Sequence, residues 1–156
     1  MSVAGVTVST VEATDSQKCN QCNDIEKACF STSERLNITQ ELTRKGVYAF
    51  SVLGTFDQHD NVCMGYVLFQ KSSLAVSVSK IVVLPSCRRQ GIGKLLLRSV
   101  ENYASNSGIA VCTLNVEENN MPAISMYTGE QYVQTGHRLD FYDIGRNAIQ
   151  MEKQIV

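Results

Sequence analysis

Two glycines stand among basic residues in the segment Arg88-Arg89-Gln90-Gly91-Ile92-Gly93-Lys94 of this 156-residue chain. The segment follows an apolar run that ends at Pro85 and precedes an amphipathic stretch, so it is predicted to join a strand to a helix. Glycine lets a backbone approach a ligand closely, and the first N–H groups of a helix attract negative charge. The pattern favours binding of a phosphate group, although a tight turn with solvated charges would use the same residues.

A second group of chemically capable residues lies downstream, at Asn115, Asn120 and Tyr127. Asn120 is predicted to cap a short helix that runs to about Tyr127. Seven positions make about two helical turns, so these two side chains should project from the same side of that helix. A phenol with an ordinary pKa of about 10 can donate a proton to a leaving group. A helix-end tyrosine packed on the core would have no such role.

These two groups together resemble the acetyl-CoA signature and the second motif of the GCN5-related N-acetyltransferase (GNAT) superfamily. The resemblance is carried by Arg88-x-x-Gly91-x-Gly93 after Val82-Val83-x-Pro85, and by Leu114-Asn115-Val116 before Asn120 and Tyr127. It implies that acetyl-CoA is the co-substrate, that the turn holds its pyrophosphate, and that Tyr127 lies beside the thiol sulfur as the acid. No metal is expected. The implied cofactor-binding residues are Ile81, Val82, Val83, Arg88, Arg89, Gln90, Gly91, Ile92, Gly93, Lys94, Asn120 and Tyr127.

Two further segments resemble the N-terminal acetyltransferase branch, in particular the bacterial ribosomal-protein alanine acetyltransferases. They are Ile25-Glu26-x-x-Cys29-Phe30 and the chain end that includes Phe141-Tyr142. The match runs from about Val6 to Lys153, so one domain is expected over 1–156. The resemblance implies a protein N-terminus or peptide as acceptor, in a groove walled by Phe30, Phe141 and Tyr142. Alternatives are a lysine, polyamine or small-molecule amine as acceptor and, in another class, a module that binds acetyl-CoA without turnover.

The expected general base is missing from its usual position. Asn115 stands where the related enzymes carry Glu or His, and an amide takes no proton at neutral pH, so Asn115 is expected to orient a water molecule. Glu117, Glu118 and Glu41 are the other candidates, although such carboxylates are mostly solvated. An N-terminal α-amine, with a pKa of about 8, needs less help from a base than a lysine with a pKa of about 10.4.

The six cysteines include one pair at metal-ligand spacing, Cys19-x-x-Cys22. No second pair follows it. Cys19, Cys22, Ile25 and Cys29 recur at steps of three and four residues, which is typical of the buried stripe of an amphipathic helix. The spacing therefore favours core packing over metal or redox chemistry.

Composition narrows the possible partners and compartments. With 44% hydrophobic and 19% charged residues, the chain is neither disordered, collagen-like nor a coiled coil. Its formal net charge of −1 argues against nucleic acid or an anionic membrane as the main partner. No apolar run approaches the roughly 18 to 20 residues of a membrane span, and residues 1–17 lack the basic start of a signal peptide. We therefore expect a cytoplasmic protein; its oligomeric state stays open, with a monomer favoured.

The elements that must position these residues follow from hydrophobic periodicity. Residues 74–84, 91–105 and 110–116 predict a βαβ unit with parallel neighbouring strands, and a bulge or splay over 80–83 would free backbone groups for a ligand. A second helix is predicted over 34–45 and a hairpin loop over 54–61. The remaining elements are a strand at 6–10, a helix from 15 or 16 to about 30, and strands at 47–53, 62–70, 132–142 and 148–155. Seven strands and four helices predict an α/β (α+β) domain with three layers and a mixed central sheet.

Overall fold

The computed structural model describes residues 5–155, so the first four residues of the segment 1–17 discussed above lie outside it. The elements in chain order are β1 (Val6–Val11), α1 (Ser16–Cys29), α2 (Ile38–Glu41), β2 (Val47–Phe56), β3 (His59–Lys71), β4 (Val76–Val83), a 3₁₀ turn (Pro85–Cys87), α3 (Ile92–Asn106), β5 (Val111–Glu117), α4 (Met121–Gly129), β6 (Val133–Asp143) and β7 (Arg146–Gln154). The strands form one sheet in the order β1-β2-β3-β4-β5-β7-β6. Among the described strands, only β4 and β5 pair in parallel. The predicted mixed sheet, with its parallel pair and four helices, is confirmed.

Helices cover both faces of this sheet, which gives the three predicted layers. Val67 and Phe69 of β3 belong to the core cluster that includes α3 and α4 residues. Tyr66 and Leu68, their neighbours along the strand, belong to the cluster on α1 and α2. Successive residues of a strand point to opposite faces, so β3 contributes to both cores. Within residues 5–155 no helix is both long and apolar enough to cross a membrane.

The cysteine stripe of α1 is part of the core. Cys19, Cys22 and Ile25 are buried against the sheet, as their spacing predicts, whereas Cys29 at the end of the helix is half-buried. Asp15 caps the helix, since its carboxylate accepts the Lys18 N–H at 3.1 Å. Among the described residues, no group of three or more His, Cys, Asp or Glu side chains is arranged to hold a metal ion.

The helix predicted over 34–45 is wrong in extent, because α2 has only four residues. Side chains of α1 bind the backbone that precedes it. The Leu36 N–H donates to Glu26 Oε1 at 2.7 Å and the Ile38 N–H donates to Asn23 Oδ1 at 2.8 Å. A backbone N–H that donates to a side chain is not available for a helical hydrogen bond to a backbone carbonyl. The segment 31–37 therefore forms no regular element before Asn37 caps α2.

The loop predicted over 54–61 is also wrong. β2 and β3 continue through it, with Phe56 paired to His59. Asp57 and Gln58 make the turn alone, with φ of 49° and 64°. Two consecutive left-handed residues form the turn of a two-residue hairpin. The polar residues in and beside this turn have the composition of a longer loop, which explains the wrong prediction.

Candidate functional site

The sheet opens where β4 and β5 separate. The two strands share only three residue pairs, Val76–Cys112, Ser77–Thr113 and Val78–Leu114. Ser79 is then the extra residue of a bulge against β3, because Val78 and Lys80 pair with consecutive residues there. Beyond this bulge the β5-facing edge of β4 has no strand pairing in the described chain, so its backbone groups are available to a ligand. The predicted splay of β4 is confirmed.

A cavity of about 460 Å³ occupies this opening. Its inner walls come from β4, β5 and α4. Its mouth lies between the α1–α2 segment, residues 30–37, and the β6–β7 hairpin. The sequence-predicted site residues that it brings together are Phe30, Ile81, Asn115, Asn120, Tyr127 and Tyr142.

The glycine turn begins α3 at the end of β4. Gly91 is the N-cap of the helix and has a φ of 80°, in the left-handed region that glycine adopts without strain. The Leu95 N–H makes the first helical hydrogen bond, to the Gly91 carbonyl at 3.0 Å. The N–H groups of Ile92, Gly93 and Lys94 precede it and have no acceptor within the helix. These donors and the positive end of the helix dipole fit a pyrophosphate.

Exposed cations surround the same turn. Arg88, Arg89 and Lys94 are all solvent-exposed, as is Gln90. Arg88 also donates from Nε to the Val83 carbonyl at 3.1 Å, which ties the turn back to β4. The predicted anion site therefore has backbone donors, a helix N-terminus and exposed positive charge in one place.

Two residues of the predicted cofactor set have buried side chains. Ile92 is 1% exposed in the core on the α3 side, and Val82 is 4% exposed in the core on the α1 side. Each would reach a ligand through its backbone only. Their side chains instead anchor the start of α3 and the end of β4.

Gly93 lies where α3 packs on α4. A Cβ at this position would come within 3.1 Å of Met126 Sδ and 3.9 Å of Val83 Cγ2. The absence of a side chain therefore lets α4 approach the turn closely. Since α4 carries Asn120 as its N-cap and Tyr127 in its body, Gly93 also helps to place these two side chains.

Tyr127 points from α4 into the inner cavity and is 8% exposed. Burial raises the pKa of its phenol to about 12, and the proximity of Tyr142 adds to this. The phenol therefore keeps its proton at neutral pH. It is suited to donate a hydrogen bond and unsuited to act as a base.

The two asparagines in the cavity differ in their partners. Asn120 Oδ1 accepts the Ala123 N–H at 3.3 Å, as predicted for a helix cap. Asn115 Oδ1 is buried and has no hydrogen-bond partner among the described residues. A buried oxygen without a donor is unfavourable by about 1 to 3 kcal/mol, so Asn115 is ready to accept a hydrogen bond from a ligand or water.

An arginine joins two acidic residues across the mouth of the cavity. Arg146 of β7 donates from Nη2 to Glu117 Oε2 at 3.0 Å, and its Nη1 pairs with Glu34 of the α1–α2 segment. The hydrogen bonds to Glu117 and then to Glu34 raise the pKa of Arg146. The same guanidinium lies 5.6 Å from the centre of the Tyr142 ring. The two sides of the mouth are thus linked by one cation.

Of the three carboxylates considered as a base, only Glu117 reaches the cavity, and there it is paired with Arg146. Glu118 accepts from Asn147 Nδ2 at 2.9 Å and pairs with His137 at 2.7 Å, contacts that hold its pKa below the usual range. Glu41 pairs with Arg44 away from the cavity. The structure thus brings no free carboxylate to the cavity from this predicted set.

Phe141 is the one predicted acceptor-wall residue that lies outside the cavity lining. It is 44% exposed and packs edge-on against Tyr142, with ring centres 4.9 Å apart. The pairing of β6 with β7 is irregular between Arg138 and Asp143, so strand alternation does not fix the direction of this pair, and only Tyr142 reaches the cavity. Residues that sequence reasoning missed are Glu34, Lys80 and Arg146, which line the mouth.

Comparisons with known proteins agree with this geometry. A profile of the family described as the acetyltransferase (GNAT) family matches residues 20–129. The ribosomal-protein-S18-alanine N-acetyltransferase from Escherichia coli has a TM-score of 0.79 at 20% identity, over 96% of this chain and 94% of its own. NAA60 from Arabidopsis thaliana in complex with acetyl-CoA has a TM-score of 0.81 at 16% identity, over 96% and 98%. Nourseothricin acetyltransferase has a TM-score of 0.77 at 17% identity, over 98% and 100%. At these identities the structural matches establish a shared fold.

Proposed function

The chain belongs to the acetyltransferase (GNAT) family, and from this membership we propose that it acetylates the N-terminal α-amine of a protein or peptide. As a member of the family it is an acetyl-CoA-dependent N-acetyltransferase, which confirms the predicted class of enzyme. The acceptor is the finer part of the proposal. A fold shared with an enzyme named for a ribosomal-protein alanine supports it, as does the geometry of the mouth.

The observation that carries the proposal is that the cavity presents only paired carboxylates to an incoming amine. In the described part of the chain, Glu34 and Glu117 are the acids of its lining, and Arg146 binds both. An amine must be neutral to attack a thioester. At pH 7 about one N-terminal α-amine in ten is neutral, against about one lysine side chain in 2,500. A site without a free base therefore suits the α-amine.

The residues at the opening of the sheet fit the co-substrate. The first N–H groups of α3 would hold the pyrophosphate, and the backbone of 81–83 with Asn120 would hold the pantetheine arm. Bound there, acetyl-CoA supplies the acetyl group as a thioester. The glycine turn, the splay and α4 all belong to the folded sheet and its helices, which supports a co-substrate site that is formed before the ligand binds.

Asn115 and Tyr127 are the groups we assign to the chemistry. The free Oδ1 of Asn115 accepts a hydrogen bond from the acceptor amine or from the water that carries its proton away. Tyr127 holds its proton at neutral pH and donates it toward the departing sulfur. Phe30 and Tyr142 line the mouth and would flank the first acceptor residues.

Peptides that begin with Ser, Ala or Met should be better acceptors than a peptide whose only free amine is a lysine side chain. The neutral fraction at pH 7 is about 10² higher for the α-amine than for the lysine side chain, so kcat/KM should be about 10² higher for the peptides with a free N-terminus. Release of free thiol from acetyl-CoA measures the rate, and mass spectrometry locates the acetyl group. The same peptides with blocked N-termini are the control. A faster reaction at the lysine would contradict the proposal.

A small cationic amine, such as a polyamine, is the second candidate acceptor. Lys80 at the mouth is neutralised by the buried Glu26, so Glu34 and Glu117 leave one net negative charge beside Arg146, which attracts cations. Nourseothricin acetyltransferase shares the fold over nearly the whole chain. A polyamine in the same assay decides between the two, because a rate above that of every peptide would favour this candidate.

A cytoplasmic location is part of the proposal. The six described cysteines are all free thiols, and five of them are buried, which suits a reducing compartment. Fractionation of cells that express the tagged protein tests it, since recovery with a membrane or in the medium would contradict a cytoplasmic enzyme.

Arg146→Met should raise the KM for the acceptor about fivefold, because it separates the two sides of the mouth. Exposed ion pairs contribute up to about 1 kcal/mol, which corresponds to that change. The affinity for acetyl-CoA should stay the same, since the partners that the structure shows for Arg146, which are Glu34, Glu117 and Tyr142, are not among the residues assigned to acetyl-CoA. Arg44→Met, which breaks the exposed pair with Glu41 outside the cavity, is the matched control. Equal KM values in the two variants would contradict a role for Arg146 in acceptor binding.

A further inference from the structure

A buried carboxylate lies directly behind the acceptor side of the cavity. Glu26 of α1 is 1% exposed and accepts three hydrogen bonds. The donors are the Tyr66 hydroxyl at 2.6 Å, Lys80 Nζ at 2.8 Å and the Leu36 N–H at 2.7 Å. An ionised group is buried only when it is paired and hydrogen-bonded, and this one is satisfied by three separate parts of the fold.

These three donors belong to the parts that surround the acceptor. Tyr66 comes from β3 in the centre of the sheet, Lys80 comes from β4 just beyond the bulge, and Leu36 comes from the α1–α2 segment. That segment has no regular structure of its own before α2, so side chains must hold it in place. The Glu26 carboxylate therefore links the segment to both strands.

Lys80 extends the same network into the cavity lining. Besides the Glu26 carboxylate, its ammonium reaches the Glu34 carbonyl at 3.3 Å and lies 3.5 Å from the centre of the Phe30 ring. Its charge is thus engaged by a carboxylate, a carbonyl and an aromatic face. Lys80 serves to hold Phe30 and Glu34 against β4, and it is not a free cation for the substrate.

We propose that Glu26 is a positioning residue that sets the acceptor wall, Phe30 and Glu34, at a fixed distance from the opened β4. The proposal rests on the proposed function only in that it needs an amine acceptor that enters by this mouth. Glu26 is buried outside the cavity lining, so it touches neither acetyl-CoA nor the reacting atoms. It acts through Lys80 and the Leu36 backbone on the residues that contact the acceptor.

The chain contains a second network of the same composition, which makes a matched control. Glu101 of α3 is 9% exposed and accepts from the Tyr132 hydroxyl at 3.1 Å and from Lys153 Nζ at 2.8 Å. None of these three residues lines the cavity. Glu101→Gln therefore perturbs a buried Glu–Tyr–Lys group without touching the acceptor wall.

The test compares Glu26→Gln with Glu101→Gln. We expect both variants to lose thermal stability to a similar degree. Only Glu26→Gln should raise the KM for the acceptor, by about tenfold. A displacement of about 1 Å in a positioning element can lower the reaction rate up to about 10²-fold, and we expect a smaller displacement here. Acetyl-CoA affinity, measured by calorimetry, should stay within about twofold in both. Exchange of the Leu36 amide hydrogen should become faster in Glu26→Gln alone.

The outcomes separate this inference from the proposed function. If N-terminal peptides are not acetylated but another amine is, the proposed function fails and the comparison is made with that amine. An unchanged KM in Glu26→Gln, or an equal rise in Glu101→Gln, overturns the positioning role. If Glu26→Gln does not fold, Lys80→Met replaces it, since that side chain is 19% exposed and its loss breaks the same link. An unchanged KM in Lys80→Met overturns the inference equally.

Discussion

Gly91→Val should abolish acetyl-CoA binding in a protein that still folds. Gly91 has a φ of 80°, and a β-branched residue is a strained outlier in that region. The turn would have to shift, so the N–H groups of Ile92 and Gly93 would no longer converge on the pyrophosphate. Hydrogen bonds to charged groups contribute about 1.5 to 3 kcal/mol each, so the loss of two raises Kd about 10²- to 10⁴-fold. Isothermal titration calorimetry with acetyl-CoA measures this change.

Gly108→Val provides the matched control for Gly91→Val. Gly108 follows the other end of α3 with a φ of 73°, and a Cβ there would meet nothing within 4 Å. The valine imposes the same kind of backbone strain away from the cavity, so thermal stability should fall while acetyl-CoA binding stays normal. Normal binding by folded Gly91→Val would contradict the placement of the pyrophosphate. Equal loss of binding in both variants would assign the effect to general destabilisation.

The parts of the site that could be predicted from sequence are those with local signals. Gly91 marks a left-handed helix start, and Asn120 marks a helix cap, because each residue type has a direct backbone consequence. The bulge or splay expected over 80–83 has no such local signal, and the structure locates the bulge at Ser79. The local backbone geometry of the glycine turn and of the start of α4 was therefore predictable at the level of single residues.

The acceptor half was less predictable because its contacts join distant parts of the chain. Arg146 and Glu34 are 112 positions apart, and neither has a local pattern that indicates the other. The short α2 had the composition of a longer helix, and only the side chains of Asn23 and Glu26 on another helix show why it begins late. Tertiary hydrogen bonds overrode local helix preference there.

Tyr127→Phe should lower kcat about 10²-fold and leave acetyl-CoA affinity nearly unchanged. The substitution keeps the buried ring and removes only the hydroxyl that faces the cavity. General-acid assistance is typically worth about 10² to 10⁴ in rate. With the pKa of Tyr127 at about 12, complete proton transfer to a thiolate whose thiol pKa is about 8.5 is uphill, so the hydrogen bond supplies most of the effect. We therefore expect the lower end of that range.

The pH dependence and a neighbouring tyrosine make the Tyr127 test specific. Because Tyr127 must stay protonated and its pKa is about 12, kcat of the unchanged enzyme should show no decline from this group below about pH 10. Tyr132→Phe is the control, since it removes another buried hydroxyl, from a ring whose centre lies 6.0 Å from that of Tyr127 but outside the cavity lining. Its kcat should stay close to that of the unchanged enzyme. If Tyr127→Phe retains most of its turnover while Asn120→Ala or the Gly91 variant loses it, Tyr127 packs the cavity wall and water protonates the sulfur.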